Sequence, residues 1–223
     1  MPYYPVFLDL KDKKVLVIGG GKVAERKIKN LLTYGCSIYI ISKNLTPALK
    51  RLVSENKVEN IPYESLETFM DDAFMVIAAT DNPEINTGVA LQARERGILV
   101  NAVDQPQDCN FIMPSIVRQG ALQIAISTSG KSPALAKKIR KEMGKLFGPE
   151  YGLLLELLGL IRVKLISHEQ ASKNKITFQK LVDSGLLEMI KKGNLDKVRG
   201  TLVAILGENF PVDDVVNQLV RNK

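Results

Sequence analysis

Residues 15–27 read Val-Leu-Val-Ile-Gly-Gly-Gly-Lys-Val-Ala-Glu-Arg-Lys, and this stretch decides the fold of the chain. The first four residues are apolar, and the β-branched Val and Ile among them predict a strand that is buried on both faces. Three glycines follow at once, and apolar residues then recur at helical spacing from Val23 to Leu32. The stretch therefore predicts a strand, a tight turn and a helix.

Gly19, Gly21 and Ala24 have the spacing G-x-G-x-x-A, which is typical of a dinucleotide site at the first strand–helix turn of a parallel sheet. In such a site Gly19 permits the turn, Gly21 lets the backbone approach a pyrophosphate, and Ala24 lets the helix pack closely on the strand. The N–H groups of the first helical turn, including those of Lys22 and Val23, then face the phosphates. A strand–helix turn without a ligand is the alternative interpretation of the same glycines.

The composition is that of an ordinary globular protein, with 45% hydrophobic and 25% charged residues among 223. No apolar run reaches the ~20 residues that span a bilayer, and the amino-terminal residues lack the pattern of a signal peptide. We therefore predict a cytoplasmic protein without a membrane partner. Cys36 and Cys109 are the only cysteines and His168 is the only histidine, so no metal site is predicted. His168 lies in a polar stretch and is predicted to be a surface or helix-end residue.

The two halves of the chain differ in charge. Residues 1–112 contain 13 Lys/Arg and 14 Asp/Glu, whereas residues 113–223 contain 18 and 10. A basic second half fits an anionic partner such as a nucleic acid, a membrane surface or a polyanionic small molecule, although solvated lysine-rich helices would give the same count. The most basic segment, 131–145, lacks the interleaved aromatic residues of a nucleic-acid site. We therefore predict no nucleic-acid partner.

Strands and helices alternate through the first half of the chain. After the first helix the pattern predicts a strand over 37–42, a helix over 45–56 capped by Thr46, a short strand near 58–62, a strand over 73–80, a helix over 84–96 and a strand over 98–103. The apolar lead-in, residues 4–10, is expected to pack beside the first strand. This alternation predicts an α/β fold with a Rossmann-type parallel sheet.

The pattern changes after residue 110. Two strands around a Gly-containing turn are predicted over 111–118 and 121–128, followed by a basic amphipathic helix over 133–147 and by further helices over 153–166, 176–192, 194–206 and 212–221. We therefore divide the chain into a Rossmann domain (1–112), a small α+β segment (113–147) and a helical carboxyl-terminal domain (148–223).

Ligands of parallel sheets bind at the carboxyl ends of the strands. The glycine turn, residues 80–82 and residues 101–104 are therefore expected to line one crevice. Its cofactor-facing polar residues are predicted to be Thr80, Asn82 and Asn101.

The residues after the second strand bear on the choice of cofactor. Dinucleotide sites usually have an acidic residue there, which binds the adenosine ribose, whereas this chain has Ser42, Lys43 and Asn44. Ser42 or Asn44 can bond a ribose hydroxyl, and Lys43 could equally accommodate a 2′-phosphate. These residues leave NAD and NADP open.

Asp104 follows the fifth predicted strand, at the edge of the sheet where a nicotinamide would lie. Hydride removal from carbon leaves a cation that must lose a proton, and a nearby carboxylate is a suitable general base. An aspartate also commonly begins a turn after a strand. Position alone leaves both roles open.

Five further stretches are distinctive, namely residues 5–10 (PVFLDL), 77–81 (IAATD), 100–104 (VNAVD), 111–115 (FIMPS) and 129–136 (SGKSPALA). Together with the glycine stretch they resemble the precorrin-2 dehydrogenase family, whose domain also forms the amino-terminal part of bifunctional siroheme synthases. The glycine motif is common to many families, whereas FIMPS after the NAVD strand is far more specific. The resemblance extends from residue 5 to about 145, and the length suits a stand-alone member.

The resemblance implies an enzyme that oxidises precorrin-2 to sirohydrochlorin with NAD⁺, a step towards siroheme and, in some organisms, cobalamin. It assigns the family's essential aspartate to Asp104 and favours NAD despite Lys43. It also implies a homodimer formed through the segment after the nucleotide domain, and a serine-rich loop near the tetrapyrrole at residues 127–130. The substrate-binding residues expected on this basis are Met113, Ser115, Ser127, Thr128, Ser129, Lys131, Ser132 and Lys137.

Precorrin-2 is a polycarboxylate, and a basic second half would attract it. The predicted function is therefore NAD-dependent dehydrogenation of precorrin-2 with Asp104 as general base. One alternative is an enzyme that also inserts Fe²⁺ or Co²⁺ into sirohydrochlorin, with Asp104 accepting the pyrrole protons. Another is a dinucleotide-sensing regulatory module, which would explain the glycine motif but give Asp104 no task.

Overall fold

A computed structural model of the chain describes residues 3–166 and 171–221, with the side chains of residue 166 and residues 171–174 left out. His168 lies outside the described residues. The chain divides into two compact units, Met1–Met113 and Pro114–Lys223. The division into three parts made from the sequence stays a prediction.

The first unit has the predicted alternation of strands and helices. Its strands are β1 (Lys14–Ile18), β2 (Ser37–Ile41), β3 (Glu59–Asn60), β4 (Met75–Ala78) and β5 (Leu99–Ala102). Its α-helices are α1 (Lys22–Leu31), α2 (Pro47–Ser54), α3 (Leu66–Asp71) and α4 (Pro83–Glu95). The five strands are all parallel and have the order β3-β2-β1-β4-β5. The predicted Rossmann-type α/β fold is confirmed.

Two apolar layers cover the faces of this sheet, because successive residues of a strand point to opposite sides. Val15 and Val17 of β1 pack in the layer that contains residues of α1 and α2, whereas Leu16 and Ile18 pack in the layer of α3 and α4. Strand β1 is therefore buried on both faces, which explains its continuous apolar sequence. The glycine turn follows directly from this strand.

The second unit begins with an antiparallel hairpin of β6 (Ser115–Gln119) and β7 (Leu122–Ile126). In the described part of this unit six helices follow, namely α5 (Pro133–Leu146), α6 (Pro149–Ile166), α7 (Ala171–Asp183), α8 (Leu186–Lys191), α9 (Leu195–Leu206) and α10 (Val212–Arg221). Helix α5 packs on β6, and the remaining five helices share one apolar core. No helix in the described ranges has both the length and the apolar character needed to cross a membrane.

Two predictions about individual segments are wrong. The lead-in does not pack beside β1, since Tyr4 and Phe7 are 87% and 71% exposed and only Leu10 of the segment is buried. The reason is that β1 lies between β2 and β4 with helices over both faces, so it offers no free edge or face. The helix predicted over 176–192 is two helices, because Gly185 takes a left-handed conformation (φ +78°) between α7 and α8.

Candidate functional site

The first glycine of the motif is required by both its conformation and its neighbours. Gly19 has φ +113°, which side chains rarely tolerate, and a Cβ at this position would lie 2.3 Å from the carbonyl oxygen of Ala79. Its N–H donates to the carbonyl of Ile41 at 2.9 Å. Gly19 therefore brings the turn against the carboxyl ends of β2 and β4 at once.

The next two glycines differ in their surroundings. A Cβ on Gly20 would lie 2.1 Å from the carbonyl oxygen of Asn44, and the Gly20 carbonyl accepts a 3.1 Å hydrogen bond from the N–H of Thr46. A Cβ on Gly21 would have no atom within 4 Å. Gly20 is thus enclosed by the loop after β2, a constraint that the motif alone does not predict, whereas the backbone at Gly21 is open to a ligand.

The start of α1 has the character of an anion site. Gly21 is its N-cap residue, and no side chain caps the helix. Lys22 is exposed at the first helical position, while Ala24 is fully buried against the strand layer. Free N–H groups at the positive end of a helix favour phosphate groups, so this end of the sheet can accommodate the pyrophosphate of a dinucleotide.

The polar residues after β2 lie beside the glycine turn. The Ser42 hydroxyl donates to the carbonyl of Asn44 at 2.8 Å, and a Cβ on Gly20 would also approach the Ser42 Oγ at 2.6 Å. Lys43 is exposed in the same loop. The structure therefore brings the predicted ribose-binding residues next to the predicted pyrophosphate site.

The loop after β4 is held by a buried amide that the sequence analysis did not single out. Asn86 of α4 is 3% exposed, and its side chain accepts hydrogen bonds from the N–H and hydroxyl of Thr80 and donates to the Thr80 carbonyl. Asn82 caps α4 by accepting hydrogen bonds from the N–H groups of Glu84 and Ile85. The side chains of Thr80 and Asn82 thus build this loop. The sequence did contain a signal for this role, because Asn86 is a polar residue on the apolar face of the predicted helix.

Asp104 has an unusual backbone conformation and a free carboxylate. Its φ is +60°, in the left-handed region that Asp and Asn tolerate better than most residues. Its side chain is exposed and forms no hydrogen bond or ion pair with the residues that the structure describes. It follows β5 by two residues, at the same edge of the sheet as the glycine turn. The carboxylate is therefore available to an incoming molecule at that edge.

A lysine from α1 reaches the strand that precedes Asp104. Lys27 Nζ donates to Asn101 Oδ1 at 2.7 Å and to Met113 Sδ at 3.3 Å. Asn101 Nδ2 in turn lies 3.3 Å from the Phe111 carbonyl oxygen and 3.5 Å from Cys109 Sγ. The predicted site residues Asn101 and Met113 are therefore engaged with Lys27. Lys27 was not among the predicted site residues, although it lies between Ala24 and Ile28, on the side of α1 that faces the sheet.

The Lys27 ammonium is electrostatically unusual. Burial lowers its pKa first, and the neighbouring Arg26 lowers it further, while Cys109 and Asp104 act in the opposite direction. Lys27 forms no ion pair within the described ranges. Burial also disfavours the charged form of Cys109, and it therefore raises the pKa of that thiol. Asp104 is thus the carboxylate that favours the charged form of this half-buried cation.

The other predicted substrate residues lie in the second unit. Ser115 pairs with Ile126 across the hairpin, next to the loop 127–132. In that loop the Thr128 hydroxyl donates to the Ser132 carbonyl and accepts from the Ser132 N–H, and the Ser132 hydroxyl caps α5 by accepting from the N–H of Leu135. These hydroxyls shape the loop. Of the predicted substrate residues, those exposed in this loop and on α5 are Ser127, Ser129, Lys131 and Lys137.

The described residues contain no group of three or more His, Cys, Asp or Glu side chains that could hold a metal ion. Of the two cysteines, Cys36 is buried and Cys109 is partly buried, and both are free thiols.

Two family models match the chain. Residues 6–115 match a model described as putative NAD(P)-binding, and residues 119–146 match one described as sirohaem biosynthesis protein, central. The first match covers the parallel sheet and the glycine turn. The second covers the last residue of β6, all of β7, the serine-rich loop and all of α5.

Similar proteins include siroheme synthases and one solved dehydrogenase. The siroheme synthase of Thioalkalivibrio sulfidiphilus is 35% identical over 96% of this chain and 44% of its own length, and siroheme synthase 1 of Klebsiella pneumoniae is 41% identical over 70% of this chain and 33% of its own length. This chain therefore spans less than half the length of these relatives. The structure of SirC, a precorrin-2 dehydrogenase, matches with a TM-score of 0.75 and 26% identity, over 91% of this chain and 98% of that one.

The Rossmann sheet, the open glycine turn and the NAD(P)-binding match define the class as a Rossmann-type NAD(P)-binding protein, with NAD supported as the cofactor. Within that class the chain belongs to the precorrin-2 dehydrogenase family, which confirms the family predicted from its sequence motifs.

Proposed function

We propose that this chain oxidises precorrin-2 to sirohydrochlorin by hydride transfer to NAD⁺, with Asp104 as the general base. The observation that carries the proposal is the free carboxylate of Asp104 at the sheet edge that also holds the uncapped start of α1. A substrate that loses a hydride and then a proton needs a proton acceptor nearby, and the free carboxylate of Asp104 supports that role.

The glycine turn, the loop after β2 and Asp104 then each have a role. The N-terminus of α1 and the open backbone at Gly21 would bind the pyrophosphate, and the loop at 42–44 would bind the adenosine ribose. When bound, NAD⁺ supplies the hydride acceptor. Loss of hydride from a tetrapyrrole carbon leaves a cation, and the proton that this cation loses passes to an Asp104 carboxylate oxygen. Holding both reactants at one edge supplies much of the rate by orientation.

The second unit supports a polyanionic substrate. Its excess of Lys/Arg favours a polycarboxylate, and the exposed Lys131 and Lys137 belong to the loop and helix matched by the sirohaem model. The proposal includes NAD rather than NADP and a homodimer, both of which the family resemblance implies. It also includes a cytoplasmic location, with which the two free thiols accord.

The decisive experiment mixes the purified chain with precorrin-2 and NAD⁺ and follows NADH and sirohydrochlorin by absorbance. Turnover supports the dehydrogenase. Binding of NAD⁺ without turnover would contradict it and favour the sensing module. Addition of Co²⁺ to sirohydrochlorin, with a control lacking enzyme, tests the chelatase alternative in the same preparation.

A further inference from the structure

Lys27 is the feature of the first unit that the proposed chemistry leaves unexplained. Its ammonium is half-buried, and among the described residues it has no carboxylate within ion-pair distance. Burying a cation without an ion pair costs free energy, and an exposed lysine on this helix would avoid that cost. Lys29 shows the ordinary arrangement, with a 52% exposed side chain that pairs with Glu25.

The partners of Lys27 lead to the turn that carries Asp104. Lys27 Nζ holds Asn101 Oδ1 at 2.7 Å, and the Asn101 amide nitrogen lies 3.5 Å from Cys109 Sγ. The Asn101 amide therefore has its donor and acceptor ends fixed by different parts of the chain.

Cys109 contacts the backbone before and after Asp104. Its Sγ lies 3.2 Å from the N–H of Ala102, which donates to it, and 3.4 Å from the carbonyl oxygen of Gln105. The side-chain amide of Gln105 also donates to the carbonyl of Pro83 at 3.0 Å. Asp104 thus lies between two residues that are tied down, which is what a left-handed aspartate needs to hold one orientation.

We propose that Lys27 is a positioning residue for the dehydrogenation: it anchors the Asn101–Cys109 network that holds the Asp104 turn, and its charge attracts the Asp104 carboxylate. The inference rests on the proposed function of Asp104. The charged or titratable groups that face the ammonium are Arg26 on its own helix and Cys109 and Asp104 from the segment after β5, while Asn101 and Met113 are its neutral contacts. Lys27 does not itself accept the proton.

The kinetic test compares Lys27→Met, which removes the charge and the donor, with Lys27→Arg, which keeps both. Lys29→Met is the matched control, since it removes an exposed lysine from the same helix. We expect Lys27→Met to lower kcat about 10- to 100-fold, with the Kd for NAD changed by less than about threefold. Lys27→Arg should recover part of the loss, and Lys29→Met should keep wild-type kcat.

Two kinetic results would overturn the proposal. One is a folded Lys27→Met variant whose kcat stays within about threefold of wild type, a change too small for a lost positioning contact. The other is a loss that appears equally in the Kd for NAD, because Lys27 would then be a cofactor-binding residue. If Lys27→Met does not fold, Lys27→Arg and the titration below carry the test.

A second measurement does not depend on turnover. In protein labelled with ¹³C-lysine, the Cε shift of Lys27, assigned by its absence in Lys27→Arg, should titrate below those of the exposed lysines. Asp104→Asn should lower this midpoint further, because it removes a charge that favours the ammonium. A midpoint that is unchanged in Asp104→Asn would overturn the coupling. If wild type binds NAD but does not oxidise precorrin-2 while the coupling is observed, the proposed function fails and the electrostatic coupling of Lys27 to Asp104 stands.

Discussion

Asp104 combines a strained backbone with an unpaired carboxylate, and at the scale of single residues these two properties have separate consequences. Its φ of +60° requires a residue that tolerates the left-handed region. Its exposed carboxylate, which lacks a hydrogen bond from the described residues, contributes little to folding. Substitutions can therefore test chemistry and conformation independently.

Asp104→Asn should remove activity without loss of stability. Asparagine tolerates the same conformation but cannot act as the base, so we expect kcat to fall about 10²- to 10⁴-fold with Tm unchanged. Asp104→Ala should lose the same activity and, in addition, about 1 kcal/mol of stability. Thermal unfolding and steady-state turnover of both variants check this. Turnover of Asp104→Asn near the wild-type rate would exclude Asp104 as the base.

The pH dependence of stability provides a test of Lys27 in the folded protein. Burial lowers its pKa in the native state, so between that value and the ordinary lysine value the unfolded state binds more protons than the native state. Stability attributable to Lys27 must then rise with pH through this window. The free energy of unfolding of wild type relative to Lys27→Met should increase as the pH rises from the lowered native pKa towards the ordinary lysine value of about 10.4. A difference that is flat or falls with pH would contradict this.

At the scale of elements, the turn between β1 and α1 is a set of three glycines with different tasks. Gly19 sets the chain direction, Gly20 accommodates the loop after β2, and Gly21 leaves the helix start open. The same sequence motif thus contains a structural and a ligand-facing constraint in adjacent positions.

Alanine substitutions at Gly20 and Gly21 should separate these two constraints. Gly20→Ala would place a Cβ 2.1 Å from a backbone carbonyl oxygen, and we expect a loss of about 2 kcal/mol or more, or about 5 °C in Tm. Gly21→Ala meets no atom within 4 Å and has φ −80°, so the fold should keep its stability while the affinity for NAD falls. Calorimetry and an NAD titration measure the two effects. A Gly20→Ala variant as stable as wild type would contradict the expected clash, because the loop after β2 would then have moved to accommodate the new Cβ.

At the scale of the whole molecule, the excess of positive charge lies in residues 113–223 and the first 112 residues are nearly neutral. Under the proposed function, the tetrapyrrole meets the basic part of the sequence and the dinucleotide meets the neutral part. Attraction between a polyanion and surface charges is screened by salt.

Raising the ionic strength from about 0.05 to about 0.3 M should therefore lower kcat/KM for precorrin-2 by several-fold. The KM for NAD⁺ should change less, and it serves as the internal control in the same titration. Equal salt dependence for the two substrates would indicate that the basic second unit does not act in substrate capture.

The elements that sequence predicted correctly depend on local signals. The apolar run of β1, the glycine turn and the alternation of strands and helices are enough to specify a parallel sheet. Thr46 caps α2 as predicted, because its hydroxyl accepts from the N–H of Leu49 three residues ahead. The position of Asp104 at the sheet edge follows in the same way, since it needs only the end of β5.

Other features depend on residues that meet only in the folded chain. The sequence determined the family, the sheet and the candidate base, because each is encoded in neighbouring residues. Only the tertiary structure decided that the lead-in stays exposed, that Gly20 is enclosed by Asn44, and that Lys27 reaches Asn101 across 74 positions of sequence. The strand order β1-β4-β5 and the placement of α1 over one face of the sheet bring Lys27 to Asn101. Neither the strand order nor this placement can be predicted from a local sequence pattern.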